Sequence, residues 1–181
     1  MINNLQVATF AGGCFWCTEA VFTRLQGVER IISGYTGGHI KNPAYREICT
    51  GRTGHAEAIQ VFYDESRISF KELMEIFFAT HDPTTLNRQG NDVGTQYRSA
   101  IFYSNDLQKQ DAIDFILFLE KEHVFDNSIA TEVVKLETFY KAEDHHQDYY
   151  NLNKEQSYCQ FIINPKLKKL EQNYSDKLKN K

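Results

Sequence analysis

Leu5 to Phe10 alternates between apolar and polar positions and then runs into Ala11-Gly12-Gly13, which predicts a strand ending in a flexible turn. From there the apolar residues Cys14, Cys17, Val21, Phe22 and Leu25 recur at steps of three or four, and Gly27 follows as a stop, so a helix is expected to start at about Cys14. Val28 to Tyr35 predicts the next strand, and a long Gly- and Pro-containing loop runs from Thr36 to Gly54. In the strand expected from His55 to Tyr63, counting by twos puts Glu57, Ile59, Val61 and Tyr63 on one face. An acid thus shares a mostly apolar face.

Ser69 with Glu72 three residues on forms a capping box, and Ile68 can staple to Leu73, which predicts a helix to about Thr80. Asp82-Pro83 ends it. A second long loop, carrying Arg88 to Gly94, leads to a strand from about Tyr97 to Tyr103 and a helix from Asp106 to Glu122. Ala130 to Leu136 reads as a strand and Glu143 to Asn151 as a short helix. Asn164-Pro165 opens a final helix before Leu167, Leu170, Tyr174 and Leu178. Strands interleaved irregularly with helices of different lengths predict an α/β fold: a two-layer sandwich with a mixed central sheet, helices packed on it and long functional loops.

A chain of 181 residues with 41% hydrophobic content supplies a core without metal or disulfide staples, so residues 1–181 are expected to form a single catalytic domain. Its C-terminal segment, from about residue 152 to 181, carries Cys159 and a basic helix with Lys166, Lys168, Lys169, Lys177, Lys179 and Lys181, read as a solubilising face. The net charge of -4, with acids and bases interspersed, argues against nucleic acid as a partner. Met1 to Leu5 lacks the basic stretch and apolar run of a secretory signal, and no eighteen-residue apolar segment occurs, so a cytoplasmic protein without membrane insertion is expected. Four cysteines in a reducing compartment point to reactivity more than to cross-linking.

A cysteine at a helix N-terminus meets unpaired N–H groups and a partial positive charge, both of which favour the thiolate, so Cys14 is the candidate nucleophile. Phe15 and Trp16 beside it can line an apolar pocket for a group the size of a methyl. The spacing Cys14-x-x-Cys17 alone leaves other readings open: an inert buried pair, a thioredoxin-like dithiol, or a zinc module using Cys49, Cys159, His145 or His146. Ligand pairs usually come twice, and only one such pair occurs; Glu143-Asp144-His145-His146 reads as solvated polar helix, and Cys49 beside Ile48 as a structural cysteine.

Gly13-Cys14-Phe15-Trp16, Gly34-Tyr35-Thr36-Gly37-Gly38, Gly54-His55-Ala56-Glu57-Ala58 and Gln89 to Ser99 together resemble, in order, the A-type peptide methionine sulfoxide reductases, over a stretch from about Val7 to Pro165. The resemblance implies that Cys14 attacks the sulfoxide sulfur and becomes a sulfenic acid, and that Glu57 is the acid. It makes Tyr45 and Tyr97 donors to the sulfoxide oxygen, Asp92 a residue that orients a water or a tyrosine, and Phe15 and Trp16 the wall for the substrate methyl. It also implies the S epimer of methionine sulfoxide, free or in proteins, as substrate and thioredoxin as external reductant; no cofactor or metal is expected, and the chain is expected to be a monomer. Cys159, after Tyr158, matches the position at which many members carry the resolving thiol; Cys17, where many members have Gly, is its rival. The strand reading adds a physical reason for the acid, because burial beside Ile59 and Val61 raises the Glu57 pKa.

Overall fold

The structure is a computed structural model that describes residues 5–180; Met1 to Asn4, read above for a leader, and Lys181 of the basic run lie outside the described residues. The strands are β1 (Gln6–Gly12), β2 (Val28–Thr36), β3 (Ala56–Tyr63), β4 (Arg88–Gln89), β5 (Asp92–Val93), β6 (Ser99–Tyr103), β7 (Glu132–Lys135) and β8 (Tyr140–Lys141). The helices are α1 (Phe15–Phe22), α2 (Tyr45–Ile48), α3 (Phe70–Thr80), α4 (Asp106–Lys121), α5 (Tyr149–Leu152) and α6 (Asn164–Asn173). Six strands pair in the order β7-β6-β1-β3-β2-β8; β6–β7 is parallel and the other pairs antiparallel, so the sheet is mixed.

Period-two alternation decides what each face of β3 meets. Ile59, Val61 and Tyr63 join the main core with residues of α1, α3, α4 and α6, whereas Ala56 and Ala58 pack with Ala11, Ala100 and Phe102 beneath Val134, Leu136 and Phe139. The helices therefore cover one face and loop residues the other, the expected two-layer arrangement. Phe10 pairs with Ile59 in the antiparallel β1–β3 register, and carrying that register two residues further sets the Gly12 end of β1 level with Glu57. The strand order thus brings the turn before Cys14 to the acid.

The capping box forms as read: Ser69 Oγ accepts from Glu72 N–H, and the Glu72 carboxylate accepts from Ser69 N–H at 2.9 Å. One C-terminal expectation is corrected and another is refined. The helix expected over Glu143 to Asn151 is a 3-10 turn at Asp144–His146 followed by the short α5, because Asp148 between them has φ 51 and cannot continue a right-handed helix. The last helix is preceded by a π-helical turn at Cys159–Ile163, and its tail is tied down: Gln26 N–H donates to Lys177 O at 2.9 Å and Lys179 N–H to Arg24 O at 2.8 Å. The small β4–β5 hairpin and edge strand β8 were not anticipated. Among the described residues no helix is long and apolar enough to cross a membrane.

Candidate active site

Strand β1 ends at Gly12, and Gly13 turns the chain with φ 93, a conformation glycine adopts without strain; a Cβ there would also lie 2.6 Å from the Gln89 side chain. Cys14 follows at the N-cap position of α1 and is nearly buried. The free N–H of Phe15 at this helix start donates to Glu57 Oε2 at 3.0 Å. Glu57 is 2% exposed, and burial, opposed by that hydrogen bond, pushes its carboxyl up to about 8. The acid expected on the apolar face of β3 is there and protonated at neutral pH.

The sulfur does not behave as the helix start alone would predict. Cys14 makes no side-chain capping bond, Glu57 takes the Phe15 N–H, and burial, the neighbouring Cys17 and the charge of Glu57 push the Cys14 thiol well above the usual range. Cys17 goes the other way. Its hydrogen bond with Cys14, assisted by Lys166 and Tyr158 and opposed by burial, brings its thiol down to about 7. The two sulfurs form a hydrogen-bonded pair in which Cys14 holds the proton and Cys17 is the more acidic partner.

Tyr45 begins α2, and Tyr97 ends the 3-10 turn Thr95–Tyr97. Both hydroxyls are pushed well above the ordinary phenol value, first by burial and then by charges including Glu57, so both remain donors. Asp92, on β5, accepts from the Tyr158 hydroxyl at 2.9 Å, and the same hydroxyl lies 3.5 Å from Cys17 Sγ. The tyrosine that Asp92 orients is therefore Tyr158, the residue before Cys159. Cys159 itself is fully buried, with its thiol raised by burial and by the charge of Cys17. Cys49, read as a structural cysteine, is exposed and hydrogen-bonds with Tyr45.

One wall escaped the sequence reading. The segment Glu143 to Tyr149, whose first four residues read as solvated polar helix, packs against the helix start. Trp16 stacks on Tyr149 with ring centroids 3.7 Å apart, and its indole N–H donates to His146 Nδ1 at 3.1 Å. His146 is 2% exposed and also contacts the rings of Phe15 and Tyr45. Glu143 accepts from Tyr45 N–H and from the Tyr35 hydroxyl, both at 2.8 Å. On α1, buried Glu19 accepts from Asp148 N–H at 2.8 Å and from Tyr149 N–H at 3.3 Å. The available signal was Trp16 itself, a lone indole whose N–H needs an acceptor once buried.

The site thus combines a two-thiol pair, a protonated carboxylic acid, phenolic donors and an aromatic wall. That donor set suits attack by sulfur on a small apolar group bearing an oxygen that gains negative charge. Among the described residues no group of three or more His, Cys, Asp or Glu is placed to hold a metal ion.

The family model described as "Peptide methionine sulfoxide reductase" matches residues 6–178. The chain is 55% identical over 172 residues to the protein named "Peptide methionine sulfoxide reductase MsrA" of Deinococcus radiodurans, covering 95% of this chain and 84% of that one. With the protein of the same name from Chromobacterium violaceum it shares 50% identity over 176 residues, 97% of this chain and all of that one. Among solved structures it is similar to Mxr1 of Saccharomyces cerevisiae in reduced form, with a TM-score of 0.79, 34% identity and coverage of 86% of this chain and 89% of that one. Mxr1 in complex with Trx2 gives a TM-score of 0.57 and 25% identity, over 82% of this chain and 87% of that one.

Proposed function

Because this chain belongs to the peptide methionine sulfoxide reductase family, we propose that Cys14 attacks the sulfur of a methionine sulfoxide while Glu57 gives a proton to its oxygen. The observation that carries this reading is the Glu57 carboxyl, buried, protonated and hydrogen-bonded to the N–H next to Cys14. As the S–O bond polarises, charge grows on oxygen, and Tyr45 and Tyr97 are the donors that meet it. The Cys14 proton passes along its hydrogen bond to the thiolate form of Cys17, which a thiol brought down to about 7 supplies at neutral pH. The oxygen leaves the substrate sulfur for Cys14, so methionine is released and the thiol becomes a sulfenic acid. Phe15 and Trp16 bound the space for the methyl group, which is how a site of fixed hand selects the S epimer, free or in proteins.

Cys17 supplies the next thiol: its sulfur attacks Cys14–SOH, an S–S bond forms and the hydroxyl departs as water. The direct pairing of Cys14 with Cys17 supports Cys17 over Cys159, the thiol preferred from sequence; Cys159 is fully enclosed and has Cys17, not Cys14, as its charged neighbour. An external dithiol then reduces the bond, and the Mxr1–Trx2 complex supports thioredoxin for that step. No prosthetic group enters the cycle. Four free cysteines suit a reducing cytoplasm, with residues 1–181 acting as one catalytic unit.

The test measures methionine formed per enzyme from each sulfoxide epimer, without reductant and with thioredoxin, for wild type, Cys14→Ser, Cys17→Ser and Cys159→Ser. Cys14→Ser should form none. Cys17→Ser should complete the first turnover more slowly and accumulate a sulfenic acid, whereas Cys159→Ser should still form the first disulfide. If Cys159→Ser alone accumulates the sulfenic acid, the resolving role moves to Cys159. No methionine from wild type would overturn the reading.

A further inference from the structure

The two nitrogens of His146 have different circumstances. Nδ1 accepts the Trp16 indole N–H, and an indole nitrogen only donates, so Nδ1 carries no hydrogen and the neutral ring bears its proton on Nε2. Burial, with His145 adding to it, holds the ring below the ordinary histidine value and keeps it neutral. Nε2 is sealed from solvent and has no hydrogen-bond partner. An unpaired buried N–H is costly and rare in folded proteins, so this one calls for a function.

The surroundings narrow what that function is. The rings of Tyr45, Phe15 and Trp16 lie 4.4, 5.4 and 5.7 Å from that of His146, which places the histidine in the wall of the candidate site. Exposed His145 lies against it with ring centroids 4.2 Å apart. The charges bearing on His146 are those of His145 and Glu143, whereas Glu57 bears on Tyr45 and Tyr97. The orphan donor thus lies beside Tyr45, one of the proposed donors to the sulfoxide oxygen, but outside the group of residues that Glu57 acts on. It is left to meet a different acceptor on the same substrate.

We propose that His146 Nε2–H binds a main-chain oxygen of the residue being reduced, a carbonyl in a peptide or a carboxylate oxygen in the free amino acid, while Nδ1 holds Trp16 against the substrate methyl. This rests on the reductase reading above. It makes His146 a specificity residue that reads the amino-acid part of the substrate and leaves the sulfur to Cys14.

The experiment compares two sulfoxides, N-acetyl-methionine sulfoxide amide and methyl p-tolyl sulfoxide, which has the methyl sulfoxide but no main chain. Wild type, His146→Asn, His146→Gln and His146→Phe are assayed with each. Asn keeps an acceptor near the Nδ1 position and removes Nε2; Gln returns an N–H near the Nε2 position. The expected result is that Asn loses about tenfold in kcat/KM on the amide, mainly through KM, with the aryl sulfoxide unaffected, and that Gln, which lacks an acceptor at the Nδ1 position, brings the ratio of kcat/KM between the two sulfoxides back toward the wild-type value. Trp16 is the only tryptophan, so its emission shows whether the wall is intact in each variant. Equal losses on both sulfoxides in Asn, or none on either, would overturn the donor role, and loss of Trp16 order in Asn with equal losses would leave His146 only a positioning residue. A wild type inactive on both sulfoxides would instead strike the reductase reading itself.

Discussion

Burial leaves little room for negative charge around Cys14. The charge of Glu57 would raise the Cys14 thiol, and the charges of Asp92 and Cys17 raise Glu57, so each group keeps its neighbour protonated. With the Glu57 carboxyl titrating at about 8, its acid form dominates at neutral pH and disappears above it. The rate of methionine formation should therefore fall as pH rises through about 8, and Glu57→Gln should lower the rate roughly a hundredfold and remove that fall. The same shift acts on stability. A folded pKa raised from the 4.5 of a free carboxyl to about 8 means the folded state binds the proton more tightly, so stability declines as pH rises between those values, by on the order of 5 kcal/mol in all. Urea unfolding at pH 5 and pH 9 should show this decline in wild type and not in Glu57→Gln. Glu57 was legible because strict alternation in β3 fixes its face. The state of Cys14 was not, because the pattern shows a helix start but not the glutamate, 42 residues away from Phe15, that occupies its first N–H.

Helix α1 is the hub among the elements. Its start meets β3 through Glu57, its middle holds the Asp148 and Tyr149 N–H groups through Glu19, and its end is gripped by the C-terminal tail. Glu19 stands in for the hydrogen bonds that a continuous helix over 143–151 would have made, which is why that segment can place His146 and Tyr149 against Trp16. Glu19→Ala should thus destabilise the fold by about 2–4 kcal/mol, since it leaves two backbone donors without their acceptor. It should also release Tyr149 from Trp16, read as a change in tryptophan emission, and lower activity more than stability explains. Unchanged emission would mean that the wall stands without Glu19. Helix α3 was readable because its capping residues are neighbours in sequence. The wall was not, because its anchor lies 129 residues from Asp148, and no local pattern records a partner at that distance.

At the scale of the molecule, the sequence pattern yields strands and helices but not their order in the sheet. The β1–β3 neighbourhood, which sets the turn before Cys14 level with Glu57, arises from pairing between segments separated by α1 and β2. The fate of the C-terminal tail was open for the same reason: a basic helix with an apolar stripe fits either a pinned or a loose end. The contacts show it pinned. Besides the two backbone bonds already described, Lys179 Nζ donates to Thr23 O at 2.9 Å, Leu178 bridges to Leu25, and Lys177 Nζ meets Glu72 of the α3 capping box at 2.8 Å. These contacts tie α1 to α3 at the end of α1 remote from Cys14. Deleting residues 175–181 should therefore cost stability and spare chemistry. The four lost hydrogen bonds at about 1 kcal/mol each correspond to a fall in Tm of roughly 8–16 °C for a chain of this size. The first turnover at 20 °C should stay within about twofold of wild type, because the deleted residues include none of the proposed catalytic groups. A first turnover lost in a truncated chain that still melts cooperatively would show that the tail sets the position of α1 along its whole length, and with it the distance between Cys14 and Glu57.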